Sequence, residues 1–178
     1  EERRDFIAIS ETPQQMINAI LSIEDRRFFE HPGIDFIGIA RAVLKNIAGK
    51  SHEGASTITM QVARNFFLTS EKTFKRKINE ILLAIKIERT LSKEEILELY
   101  INQIYLGQRS FGFSAAANTY YGKNLDQLNL GETALLAGLP KAPSRYNPLL
   151  RPNLAIKRQQ NVLNSMLRHG YIDKPTYI

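Results

Sequence analysis

The sequence predicts an all-α fold, and three observations carry that prediction. Apolar residues recur at spacings of three and four along most of the chain. No segment alternates apolar and polar with the period of two that a half-buried strand requires, and recognisable caps and stops punctuate the pattern. The 178 residues are 43% hydrophobic and 24% charged, enough for one core and too apolar for a disordered chain. No stretch approaches the roughly 18 uninterrupted apolar residues of a membrane span. With no Cys there is neither a disulfide framework nor a thiolate metal site.

The elements follow in order. Thr12 caps a first helix that starts near Pro13, carries Ile17, Leu21, Glu24 and Phe28 on one face, and runs towards Phe29 before His31-Pro32-Gly33 stops it. A second helix spans Phe36 to Ala48 and ends at Gly49. The polar stretch Gly49 to Ala55 leads to Ser56 or Thr57 as the cap of a third helix with Ile58, Val62 and Phe66. A long helix from about Thr73 to Thr90 carries two apolar stripes, one through Phe74, Ile78, Ile81 and Ile85 and another through Leu83, Ala84 and Ile87. It is therefore expected to be central and buried nearly all round. Ser92 with Glu95 forms a capping box for a helix ending near Gly107, and Ala115 to Ala117 mark a closely packed helix. Asn129 with Glu132 caps another, followed by Pro140 and Pro143. The last long helix runs from about Asn153 to His169, with Gly170 as its left-handed stop. No boundary separates two domains, so residues 1–178 read as one. The opening Glu1-Glu2-Arg3-Arg4, without an initiator Met or a following apolar stretch, reads as the start of an excised piece.

Charge narrows the class of partner. Lys and Arg number 24 against 18 Asp and Glu, a net charge of +6 that favours an anionic partner. No carboxylate falls between Glu132 and Asp173, whereas Lys141, Arg145, Arg151, Lys157, Arg158 and Arg168 do. Lys72, Lys75, Arg76 and Lys77 form a second cluster. Glu24 is the principal anomaly, a carboxylate inside an apolar stripe. Either a buried cation pairs with it, or a low dielectric raises its proton affinity towards the range useful for acid or base work. Asp25 and His31 put two more ionisable groups at that helix end. Glu80 is the second candidate, with Arg76 and Lys77 one turn before it; local helix ion pairs are the plain alternative. Gly54-Ala55-Ser56-Thr57 at a helix start offers hydroxyls and backbone N–H groups to a phosphate, or is simply a cap. The Phe36 to Ala48 segment, with Arg41 and Lys45 among its apolar residues, is suited to a membrane interface or to core packing.

From Ile17 to Tyr171 the chain resembles the family 51 glycosyltransferase domain of class A penicillin-binding proteins. Five motifs carry the resemblance. They are Glu24, Asp25, Phe28, His31 and Gly33; Gly54, Ser56, Thr57, Ile58, Thr59 and Gln61, with Met60 where Gln is usual; Arg76, Lys77, Glu80 and Ala84; Ile96, Leu97, Tyr100 and Asn102; and Gly112, Ala116, Ala117, Tyr120, Gly122 and Lys123. The stretch from Gly138 to Ser144 looks like the bifunctional enzymes of that family. The resemblance implies a lysozyme-like fold with a head lobe and a small membrane-facing jaw lobe at about residues 34–60. It implies polymerisation of lipid II into β-1,4 glycan with inversion and release of undecaprenyl diphosphate. Glu24 is then the general base and Glu80 assists departure of the diphosphate, directly or through a divalent cation such as Mg2+; no organic cofactor is implied, and no metal ligand is identified. Asp25, Phe28, His31, Arg41, Ser56, Thr57, Gln61, Arg64, Asn65, Lys72, Arg76, Lys77 and Asn102 fall at substrate-binding positions, Lys72 where Arg is common. The expected partners are lipid II, the growing glycan, the membrane surface and cell-wall synthesis proteins, with no nucleic acid. The expected location is the outer or periplasmic face of a bacterial cytoplasmic membrane, with an anchor and a transpeptidase domain outside this chain. A lysozyme-like hydrolase and a non-catalytic basic binding module are the rival readings.

Overall fold

The computed structural model describes residues 2–47, 49, 55–66 and 73–177. Helices dominate them, as the periodicity predicts, and form two compact units. One comprises Glu1–Arg26 with Glu98–Ile178, the other Arg27–Leu97.

In the first unit, α1 (Gln14–Glu24), α7 (Leu130–Gly138) and α8 (Pro152–Arg168) pack on one another. Their contact faces are small or compact: Met16, Ala19 and Ile20 from α1, Ala134, Leu136 and Ala137 from α7, and Ala155, Val162 and Met166 from α8 are buried. Alanine at such positions lets helix axes approach closely, and the sum of these burials is the main stabilising term of the unit. Asn129 and Glu132 close the expected capping box on α7, each bonding the other's backbone N–H at 2.9 Å. Gly170, at φ +75°, ends α8 as its position after His169 predicts. The small-residue helix α6 (Phe113–Tyr121) buries Ala115, Ala116 and Ala117.

One pairing was not legible as a strand. β1 (Arg3–Arg4) lies parallel to β2 (Ser110–Phe111), each only two residues long and too short to show a period. The segment after β1 is tied down by Asn102, whose side chain accepts from Ile7 N–H and donates to Ile7 O, both at 2.8 Å. Gly112 makes that arrangement possible. Its φ is +89°, and a Cβ there would lie 2.7 Å from the Asn102 carbonyl oxygen. Gly112→Ala is therefore expected to cost about 3 kcal/mol from strain and overlap together, seen as a Tm lower by roughly 6–12 °C in a thermal melt. A drop below about 2 °C would show that the backbone relaxes instead.

The second unit contains α2 (Phe36–Ile47), α3 (Ile58–Arg64) and α4 (Phe74–Thr90), and a polar hub joins α3 and α4. Lys93 Nζ donates to His31 O and to Glu88 Oε1, both at 2.7 Å, and lies 4.5 Å from the centre of the Phe28 ring. Thr59 also donates to Glu88 Oε1, Gly33 N–H donates to His31 Nδ1, and Thr57 Oγ1 donates to Gly33 O. A half-buried ammonium with two anionic or carbonyl acceptors and an aromatic face is satisfied rather than stranded. Helix α5 (Lys93–Gln103) opens with the predicted Ser92–Glu95 capping box.

Three expectations are corrected. Helix α1 stops at Glu24, not Phe29, because Asp25 leaves the helical region at φ −160° and ψ 76°. Phe28 instead sits fully buried in a turn, where it packs edge-on to Phe29 and His31. Helix α5 ends at Gln103, short of Gly107, whose φ of +87° serves the turn leading to β2. Helix α4 is not buried all round. Glu80, Ala84 and Ile87 are covered, but among the described residues nothing covers Phe74, Ile78 and Leu82, which stand exposed, while α3 packs on α4.

Candidate active site

Each unit holds one of the two candidate carboxylates. Glu24 is the last residue of α1, one turn after the buried Ile20 and Leu21, which explains how a carboxylate falls on the packed side. Its side chain is 11% exposed. Arg158 Nη2 lies 3.3 Å from Glu24 Oε1, so a buried cation pairs with it, the first of the two alternatives that the stripe position left open. Asp25 follows and is buried.

Glu80 is almost wholly enclosed, at 1% exposed, and is gripped from two helices. Arg64, in the last turn of α3, forks onto it, with Nε 3.2 Å from Oε2 and Nη2 3.0 Å from Oε1. Lys77, one turn earlier on α4, donates to Oε1 at 2.9 Å and to Ser56 Oγ at 3.0 Å. Burial by itself pushes the Glu80 carboxyl up, but hydrogen bonds and positive charge from Arg64 and Lys77 outweigh it and hold the carboxyl below the usual carboxylate range. Glu80 is thus ionised at neutral pH and has no proton to give. What it supplies is placement: Arg64 and Lys77 keep their charged groups at a fixed point while about two-fifths of each side chain stays open to solvent. Arg76 adds a third cation on the same helix, and its buried Nε has no hydrogen-bond partner among the described residues, a donor suited to an anion's oxygen.

The structure therefore brings Ser56, Arg64, Lys77 and Glu80 into one hydrogen-bonded cluster. Gln61 and Asn65 lie on or at the end of the same short helix as Arg64, and Arg41 lies on α2. Phe28, His31, Thr57 and Asn102 do internal work: the first three build the hub beneath α3 and α4, and Asn102 clasps the Ile7 backbone. Met60, where the motif has Gln, packs into the core at 2% exposed. Lys72 and Gly54 lie outside the described residues. Sequence reasoning missed two partnerships, Arg158 with Glu24 and the Arg64 fork on Glu80.

The fit to a divalent cation is poor. No group of three His, Asp or Glu side chains converges among the described residues, and both Glu80 oxygens already face cations that would repel another.

Comparison with known proteins bears on the family and the fold. The transglycosylase family model matches residues 1–167. Penicillin-binding protein 1A of Neisseria flavescens is 56% identical over 173 residues, which are 97% of this chain and 22% of that protein. A Cupriavidus necator protein that carries the name transglycosylase is 53% identical over 173 residues, 97% of this chain and 75% of its own. The crystal structure of penicillin-binding protein 1A from Haemophilus influenzae superposes with a TM-score of 0.60 at 31% identity, over 99% of this chain and 17% of that one. This chain thus spans about a fifth of the penicillin-binding relatives it matches. With a family model covering nearly its whole length and a helical fold shared with a solved relative, the chain belongs to the transglycosylase family.

Proposed function

We propose that this chain is a peptidoglycan glycosyltransferase domain that polymerises lipid II into β-1,4 glycan strands in cell-wall synthesis. Glu24 takes the proton of the acceptor GlcNAc 4-hydroxyl as that oxygen bonds to the anomeric carbon of the donor. The anomeric C–O bond breaks on the opposite face, its electron pair leaves with undecaprenyl diphosphate, and the α linkage becomes β. Negative charge grows on the departing diphosphate, and fixed cations that need no reorganisation stabilise it. Arg64, Arg76 and Lys77 supply those cations, with Glu80 orienting two of them. Ser56, Gln61, Asn65, Arg41 and Lys72 complete the binding of donor and acceptor.

The observation that best supports the reading is the cationic cluster held by one buried carboxylate, because glycan hydrolysis releases no diphosphate and has no use for it. The deciding experiment is incubation of labelled lipid II with the protein: lengthening into polymer supports the proposal, and shortening of preformed glycan without polymer reverses it.

A membrane-resident donor also calls for a membrane-facing surface on the outer face of the cytoplasmic membrane. No helix among the described residues is long and apolar enough to cross a bilayer. Helix α2, however, exposes Phe36, Ile37, Val43, Leu44 and Ile47, an apolar face of the kind that lies in the headgroup layer. The chain is expected to co-sediment with anionic vesicles at low salt, and Leu44→Glu with Ile47→Glu to weaken that at least tenfold. Equal binding by the double variant would move the membrane contact elsewhere.

A further inference from the structure

Arg158 lies in the buried stripe of α8, between Ala155 and Val162, and only 7% of it is exposed. An enclosed guanidinium must place its donors, and three neighbours receive this one. Its Nε donates to Gly138 O at 3.0 Å, its Nη2 reaches Glu24 Oε1 at 3.3 Å, and its carbon lies 5.7 Å from the centre of the Tyr146 ring. Gly138, at the end of α7, has φ −80°, which any residue adopts. A helical glycine costs stability relative to alanine, so its use there is spatial: a Cβ would lie 2.8 Å from Arg158 Cγ. The end of one helix, a turn and a second helix thus converge to hold one cation against the last residue of α1.

We propose that Arg158, seated by Gly138, is a positioning residue that aims the Glu24 carboxylate for proton abstraction. The inference rests on Glu24 being the base. The contrast with Glu80 gives it content. Glu80 accepts a forked Arg and a Lys and becomes an anchor, whereas Arg158 Nη2 stands 3.3 Å from Glu24 Oε1, longer than the usual charge-assisted bond. That is near enough to orient the carboxylate. The other charged groups on the packed elements are differently placed. Glu132 of α7 is tied to Lys123, and Lys141, Arg145, Lys157 and Arg168 are exposed. Asp25 adjoins Glu24, and His169 contacts Ser165, which donates to Ser22 O.

The test measures lipid II polymerisation against pH in the intact protein. Arg158→Met is expected to lower kcat about tenfold or more with KM little changed. It should also move the acidic limb of the profile to higher pH, because the carboxylate loses the cation beside it. Arg158→Lys should restore the limb, and Arg158→Met should add nothing to Glu24→Gln. Gly138→Ala, which displaces the guanidinium without removing its charge, should lower kcat in the same direction; it serves alone if Arg158→Met does not fold. An unshifted limb with losses that add to those of Glu24→Gln would make Arg158 a structural residue and overturn the inference. Full turnover by Glu24→Gln would instead remove the base itself.

Discussion

Glu24→Gln is expected to reduce lipid II polymerisation by at least about a hundredfold while the protein stays folded. The substitution keeps size and shape and removes only the capacity to take a proton. The amide oxygen can still accept from Arg158, so the guanidinium is not stranded. The stability cost should therefore fall well below the roughly 3–5 kcal/mol of breaking a buried ion pair outright. A thermal melt alongside the rate measurement separates the two effects. A Tm within a few degrees of the parent together with lost turnover assigns the loss to chemistry. Retention of more than about a tenth of the turnover would take the base role from Glu24. Vesicle binding should not change, because the apolar face of α2 belongs to the other unit, and unchanged binding with no activity in the parent would favour a non-catalytic module.

Much of this was legible in the residues themselves. A carboxylate in the apolar stripe of one helix is a local conflict, and such conflicts collect at functional sites. The sequence contained the resolving clue as well: Arg158 sits between Ala155 and Val162, so it too is a charge inside an apolar stripe. Two buried charges of opposite sign on different helices are natural partners, although 134 residues separate them in the chain. Read only as part of a basic run, Arg158 loses that meaning. The Arg64 fork was hidden for a different reason. Arg76 and Lys77 lie one turn from Glu80 and satisfy the local pairing rule, while a partner on another helix leaves no trace in spacing. The helical period continues through Phe28, so spacing alone places the end of α1 too late, whereas Phe28 is buried in the turn beyond it. The stripe that opens with Phe74 and Ile78 errs in the opposite sense, since both stand exposed: periodicity reports which residues share a face, not whether anything covers it.

Glu80→Gln gives the second large effect, and its signature differs from that of Glu24→Gln. Because Glu80 is held ionised, it cannot act by donating a proton to the leaving group, and its contribution must run through the cations it fixes. Neutralising it releases the Arg64 fork and weakens the hold on Lys77, so their charge no longer sits where the departing diphosphate needs it. Loss of pre-organised electrostatic stabilisation is expected to cost kcat about a hundredfold. The ground state responds in the other direction. Removing one negative charge from among Arg64, Arg76 and Lys77 makes the cluster more attractive to a diphosphate, so KM for lipid II should stay level or fall. Both cations are part-exposed and can rehydrate, which limits the stability loss. A kcat collapse without a rise in KM is thus the result that assigns Glu80 to orienting the cations. A raised KM at unchanged kcat would make it a binding residue, and unchanged values of both would remove it from the reaction.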